Sequence, residues 1–343
     1  MARATLEATA RALVAPGKGI LAADESHPTI GRRFEEYGIS NREEHRRRYR
    51  QMLFTTPGIG EFISGVILFD ETIRQATDEG RPFVEVLAGA SILPGIKVDG
   101  GAKPLAGAPG ERVTEGLDGL RERLAEYKTL GARFAKWRAV IAVGEDGRIP
   151  TRRALQANAD ALARYAALCQ EAEIVPIVEP EILMDGGHSL ERCLEATEAA
   201  LHVVFDALWE QRVAPEGLLL KPNMVLAGTS APRQASVEEV AEATVRCLRR
   251  TVPPAVPGIV FLSGGQTDEL ATLHLNAMNR LPAPPPWPLS FSYGRALQAA
   301  PLGTWRGDPA RVADAQRAFH HRARCNSAAR SGAYTPELER GAV

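Results

Sequence analysis

Three consecutive pieces, RFAKWR (133–138), RRALQANADALARYAALCQEAE (152–173) and IVPIVEPE (174–181), decide the reading of the fold. The first and third are short apolar runs that end in charges. The middle one is Ala-, Glu- and Arg-rich with apolar residues at helical spacing. Strand, helix and strand in that order argue for a parallel sheet. The unit recurs along the chain: GILAADES (19–26), GVILFDE (65–71), GIKVD (95–99), LLLKPN (218–223), GIVFLSGG (258–265) and LSFSYGR (289–295) complete a set spaced roughly 30 to 45 residues apart. SVEEVAEATVRCLRRTV (236–252) is another of the amphipathic stretches between them. Eight such runs predict an α/β chain folded as a single (β/α)8 barrel over residues 1–343. It carries an N-terminal helical extension, MARATLEATARALVAPGKG, closed by Pro16 and Gly17, and C-terminal helices. A doubly wound sheet is the rival, but no GxGxxG follows the first run and no GxxxxGK[ST] occurs.

Bulk properties restrict the partners. The 343 residues are 45% hydrophobic and 24% charged, with 41 basic and 42 acidic residues and a formal net charge of -1. So balanced a chain generates no strong field, and we expect neither nucleic acid nor an anionic membrane as partner. No apolar run approaches the ~18 residues of a membrane span, and the N-terminus lacks the apolar core of a signal peptide. Cys169, Cys193, Cys247 and Cys325 are scattered, without CxxC spacing. They read as reduced thiols of a cytoplasmic protein. The adjacent His320 and His321 and isolated histidines such as His188 read as surface or capping residues, and no bound metal is expected.

In barrels of this kind, function collects at the C-terminal ends of the strands. The eight runs place Asp24, Lys97, Lys136, Glu179, Lys221, Ser263 and Arg295 there. Side chains two apart share a strand face. Lys136 therefore goes with Arg138, and Glu179 with Glu181. One mouth would then collect carboxylates and cations from several strands. Any one of these charges alone reads as a salt bridge or a solvated strand end. Taken together they read as a site.

Lys221 is the odd residue, because it ends the apolar run GLLLKPNM (217–224). Burying an unpaired ammonium costs several kcal/mol, or the group gives up its proton. One reading is a lysine whose stem packs on the leucines while its head reaches water. The other is an amine that desolvation and neighbouring cations, Lys136 and Lys97, keep neutral and nucleophilic. Such an amine forms Schiff bases with carbonyls, and nearby carboxylates can shuttle the protons. Residue chemistry leaves both readings open. SGGQTDE (263–269) and SYGR (292–295) add Ser263, Gly264, Gly265, Gly294 and Arg295 after the last two strands, where backbone N–H groups, a helix N-terminus and a guanidinium suit a phosphate.

The chain resembles the class I fructose-bisphosphate aldolases of the animal and plant type. The resemblance runs from GKGILAADES (17–26) through YRQMLFTTPG, GVILFDET, GIKVDGG, PLAGAPGE, GLDGLRERLAEYKTLGARFAKWR, NADALARYAALCQ, IVPIVEPEIL, LLLKPNMV, TVPPAVPGIVFLSGGQ and FSYGRALQA to GAYTP (332–336). It implies reversible cleavage of fructose 1,6-bisphosphate to dihydroxyacetone phosphate and glyceraldehyde 3-phosphate, in glycolysis and gluconeogenesis. It also implies a homotetramer that needs no metal or other cofactor. By match to the family's motifs, Lys221 is the Schiff-base lysine and Glu179 the general acid/base. Glu181 holds Lys221 in an electrostatic network, Asp24 assists proton removal from the C4 hydroxyl, and Lys136 keeps Lys221 deprotonated. Ser263, Gly264, Gly265, Ser292, Gly294 and Arg295 would hold one phosphate. Ser26, Arg33 and Lys97 would hold the other, with Arg138 nearby.

The sequence departs from the family in two places. His27-Pro28-Thr29 stands where relatives carry Thr-Gly-Ser, so Pro28 removes a backbone donor beside the second phosphate. Many relatives also carry a further tail ending in tyrosine, linked to proton exchange on dihydroxyacetone phosphate, whereas this sequence ends at Val343. The expectation is bisphosphate cleavage with altered enamine protonation or a substitute group. Transaldolase-like and deoxyribose-phosphate aldolase-like barrels share the fold and the lysine but not these blocks. A metal-dependent aldolase would need a histidine cluster. A non-catalytic scaffold would have no use for Lys221, Glu179, Asp24 and Arg295 together.

Overall fold

A computed structural model describes residues 2–341. All eight runs form strands: β1 (Gly19–Ala23), β2 (Ile63–Leu68), β3 (Leu93–Lys97), β4 (Phe134–Ile141), β5 (Val175–Ile182), β6 (Leu219–Leu220), β7 (Ile259–Phe261) and β8 (Leu289–Tyr293). They close into a parallel barrel in chain order, with β1 pairing β2 on one side and β8 on the other. Helices fill the crossovers. Among them are Arg152–Glu171 between β4 and β5 and Val237–Thr251 between β6 and β7. The latter starts on a reciprocal cap, in which the Ser236 hydroxyl accepts from the Glu239 N–H and the Glu239 carboxylate accepts from the Ser236 N–H.

Near-continuous apolar strands are what a sheet buried on both faces requires. Every residue of β1, β2, β5 and β8 is buried. The N-terminal helix Ala2–Leu13 supplies Leu6, Ala10 and Leu13 to a separate apolar cluster with Ile20, Phe134, Val175, Ile177, Leu219 and Val260. Within it the Phe134 ring fills space left by two glycines. A Cβ added at Gly95 would lie 2.3 Å from that ring, and one at Gly65 would lie 3.0 Å from it. This packing holds the N-terminal half of the strands, leaving the C-terminal ends free to carry polar groups.

The structure shortens the sixth run to two regular residues. Pro222 has no N–H to give a ladder, so regular pairing stops at Leu220. The segment beyond is still tied down. The Lys221 N–H donates to the Val178 carbonyl (2.8 Å), the Leu262 N–H to the Pro222 carbonyl (3.1 Å), and the Ile182 N–H to Asn223 Oδ1 (3.0 Å). The Asn223 side chain thus takes the place of a strand carbonyl, and Lys221 sits on a fixed backbone between β5 and β7.

One element is not legible in the eight runs. A two-stranded antiparallel hairpin, Ala102–Pro104 with Arg112–Thr114, projects from the loop after β3. Its Thr114 hydroxyl donates to the Arg138 carbonyl (2.7 Å). The Asn158 amide donates to the Arg112 carbonyl (2.8 Å). The four cysteines are free and buried, and no described helix is long and apolar enough to cross a membrane.

Candidate active site

The C-terminal ends of the strands open into a cavity of about 1010 Å³. Every residue singled out from the sequence lines it except Gly265. Period-two alternation turns Lys136 and Arg138 of β4 inward together, and likewise Glu179 and Glu181 of β5. The parallel register sets Arg138 beside Glu179, and Lys97 of β3 beside Lys136.

Four buried charges form the centre. Lys136 Nζ lies 2.6 Å from Asp24 Oδ2 and 3.4 Å from Glu179 Oε2. Lys221 Nζ lies 3.1 Å from Glu179 Oε1. Asp24, Lys136, Glu179 and Lys221 therefore alternate in sign along one chain of contacts, which is what lets charges persist away from water. Burial by itself would push the Asp24 carboxyl up. The ammonium groups of Lys136 and Lys221 outweigh burial and hold it at about 2. Burial by itself would pull Lys136 down, but Asp24, Glu179 and Asp99 outweigh that and raise it. Lys136 is a fixed cation.

Glu181 feels the charge of Lys221 but reaches it through no direct contact. Its carboxylate bonds Arg138 Nε rather than Lys221. Burial raises the Glu181 carboxyl and the nearby Glu179 adds to this, against the pull of Arg138. Lys97 is likewise engaged, by Asp99 through a carboxylate oxygen at 2.7 Å and the backbone carbonyl at 2.9 Å. Asp99 closes the run GIKVD but is absent from the residues expected at the site. Its other oxygen accepts from the Arg138 N–H (3.3 Å).

At the end of β1, buried Glu25 accepts from Arg33 (2.5 Å), Arg50 (2.6 Å) and Gln298 (2.7 Å). Arg50 also donates to the Ala23 carbonyl (2.9 Å), and Gln298 to that of Ala22 (2.7 Å). This network locks the strand end that carries Asp24. Ser26 then stands at the N-cap of the helix His27–Glu35, with Pro28 in its first turn. A missing N–H there breaks no intrahelical bond, so the departure from the family pattern leaves the helix start intact. The Ser26 and Thr29 hydroxyls, 3.1 Å apart, both line the cavity.

Across the mouth, Ser263 and Gly264 follow β7, with Gly264 at φ +59°. That left-handed turn sends the Gly265 N–H to the Met184 sulfur (2.9 Å), out of the cavity. Gly265 is therefore corrected from a phosphate ligand to a turn residue. The buried Ser292 hydroxyl has no hydrogen-bond partner among the described residues. Arg295, the first residue of the helix Arg295–Trp305, is exposed and unpaired among them. An orphaned hydroxyl, a bare glycine turn, a helix N-terminus and a free guanidinium together fit an anion.

The histidines also differ from expectation. His188 is buried, and His321 lies half-buried in a group with Cys325 and Glu339 whose ligand atoms fall within 4.8 Å of one another. Both oxygens of Glu339 are already bonded, one by Arg322 and one by the Tyr334 hydroxyl. None of the three residues lines the barrel cavity.

Known proteins share this fold and much of this sequence. The family model described as Glycolytic, fructose-bisphosphate aldolase class-I, matches residues 5–343. A Xanthomonas axonopodis pv. citri protein named "Probable fructose-bisphosphate aldolase class 1" is 60% identical over 328 residues, covering 95% of this chain and 97% of that one. Arabidopsis thaliana fructose-bisphosphate aldolase 5, cytosolic, is 54% identical over 95% of this chain and 90% of its own. The solved fructose-bisphosphate aldolase of Plasmodium falciparum, in complex with TRAP and a small-molecule inhibitor, superposes with a TM-score of 0.96. It is 50% identical and covers 97% of this chain and 96% of that one. A barrel whose mouth holds a buried lysine–carboxylate chain, matched over nearly its whole length by these proteins, leaves one assignment: the chain belongs to the class I fructose-bisphosphate aldolases.

Proposed function

We propose that Lys221 is the nucleophile through which this chain cleaves fructose 1,6-bisphosphate reversibly to dihydroxyacetone phosphate and glyceraldehyde 3-phosphate. The observation that carries the assignment is the 3.1 Å contact between Lys221 Nζ and Glu179 Oε1 in a buried wall beside the fixed cation Lys136. The amine attacks the C2 ketone to give a carbinolamine. Glu179, within reach of the nitrogen, takes the proton whose loss frees the amine and returns it to the hydroxyl, which leaves as water. The resulting iminium draws the C3–C4 bonding electrons as that bond breaks, leaving an enamine, while the C4 hydroxyl proton passes to Asp24. A carboxylate held at about 2 is a weak base. It therefore takes that proton only as the hydroxyl becomes an aldehyde, late in bond cleavage. Protonation of the enamine at C3 and hydrolysis of the iminium release dihydroxyacetone phosphate and restore the amine.

Ser263, Gly264, Ser292, Gly294 and Arg295 hold the phosphate nearest the Schiff base in this reading. Ser26, Thr29, Arg33 and Lys97 face the other, with Arg138 fixing Glu181 between the two sides. The reaction belongs to cytoplasmic glycolysis and gluconeogenesis, a placement supported by the cytosolic relative. We expect a homotetramer, as the family resemblance implies. Trp209, 81% exposed on the helix Leu190–Glu210, is the kind of side chain such an assembly covers.

Borohydride reduction in the presence of dihydroxyacetone phosphate tests the chemistry. Irreversible inactivation, with the reduced adduct mapped to Lys221 and no effect of chelators, is the expected result. An adduct on another lysine, or activity that a chelator abolishes, would overturn the assignment.

A further inference from the structure

Accounting for the cations around the cavity shows which are free to meet a second phosphate. Lys136, Lys221, Lys97, Arg138 and Arg33 are each held by a carboxylate. Among the described residues lining the mouth, the arginines without such a partner are Arg32, Arg112 and Arg295. Arg295 follows β8. Arg112 stands on the hairpin after β3, and in a closed ring of eight strands in chain order β3 and β4 lie opposite β7 and β8. Arg32, on the helix after β1, belongs to the Arg295 side, because β1 pairs with β8. That leaves Arg112 as the free guanidinium on the opposite side of the mouth from Arg295, where the far end of an extended bisphosphate would lie.

The placement of Arg112 is built rather than incidental. It shares a strand face with Thr114, whose hydroxyl is bonded to the Arg138 carbonyl at 2.7 Å. The preceding Glu111 is buried and accepts from both the N–H (2.6 Å) and the hydroxyl (2.7 Å) of Thr151. The hairpin is therefore pinned on both sides of an exposed arginine that pairs with no described carboxylate. On its wall, Lys97 with Asp99 and Arg138 with Glu181 sum to zero charge. A phosphate carrying about two negative charges finds its uncompensated cation there in Arg112.

We propose that Arg112 is a specificity-determining residue that binds the phosphate remote from the Schiff base and favours ketose bisphosphates over ketose 1-phosphates. The inference rests on the Lys221 reading, and the two can fail separately. Steady-state kinetics of Arg112→Ala and Arg112→Lys with fructose 1,6-bisphosphate and with fructose 1-phosphate provide the test. We expect kcat/KM of Arg112→Ala to fall about tenfold or more for the bisphosphate, the loss of a charge-assisted contact. Change for the monophosphate should stay within about twofold. Arg112→Lys should recover part of the loss, and salt should raise KM for the bisphosphate less in Arg112→Ala than in the parent. An equal loss on both substrates would mean that Arg112 only holds the hairpin. That outcome, or no change on either substrate, overturns the proposal. Adduct formation with dihydroxyacetone phosphate should survive in Arg112→Ala. Its absence from the parent protein as well would instead indict the assignment of Lys221.

Discussion

Lys221→Met is expected to lower kcat by about 10⁴-fold or more, the scale seen when a covalent nucleophile is removed, and to abolish borohydride trapping. The chain should stay folded. The Lys221 backbone is anchored to Val178 through its N–H, and the methionine stem fits beside the leucines that precede it. Glu179, the carboxylate it abandons, keeps Lys136 at 3.4 Å and so is not left alone in the interior. Lys221→Arg separates charge from nucleophilicity, because a guanidinium keeps the positive charge but cannot deprotonate. It should be as inactive as the methionine variant. Either variant keeping activity within tenfold of the parent would remove Lys221 from the mechanism.

Much of this site is legible in the sequence because barrel strands carry a simple code. Each run is apolar until its last residues, and period two alone sorts Lys136 with Arg138 and Glu179 with Glu181. What stays hidden depends on residues that only folding brings together. Arg50 sits within the run EEHRRRYRQ, where nothing separates it from the arginines beside it, yet it alone is buried against Glu25. Gln298 reaches Glu25 from across the ring closure between β8 and β1. Glu25 itself stands beside Asp24 in GILAADES, but a carboxylate's partners are not written next to it. Glu181 illustrates the same limit. Parity aims it into the mouth correctly, but its direct ion pair with Arg138 forms only once the two neighbouring strands are paired. Gly265 is misplaced from the sequence because SGGQ offers two adjacent glycines, and only the left-handed turn at Gly264 decides which N–H faces the cavity.

Lys136→Met should be the most damaging substitution for stability, by about 3–5 kcal/mol, because it strands a buried carboxylate instead of removing a pair. In the parent, Asp24 is depressed from 3.8 to about 2. A carboxyl lowered on folding stabilises the native state above its unfolded value, here by about 2 kcal/mol, and that contribution is lost as pH falls from about 4 to about 2. Lys136, raised on folding, keeps its contribution below its ordinary value and loses it only in strong alkali. Both partners therefore favour the folded state across the neutral range. Without Lys136, burial dominates at Asp24 and its carboxyl rises, so the variant is penalised most where Asp24 must ionise. Urea unfolding should show a wide gap between parent and variant at pH 7 that narrows below pH 4; a gap independent of pH would refute this account. Adding Asp24→Asn to Lys136→Met removes the stranded charge and should recover stability. It should not recover turnover, since the double variant lacks both the fixed cation and the acceptor of the C4 proton. Recovery of activity along with stability would show that neither residue takes part in the chemistry.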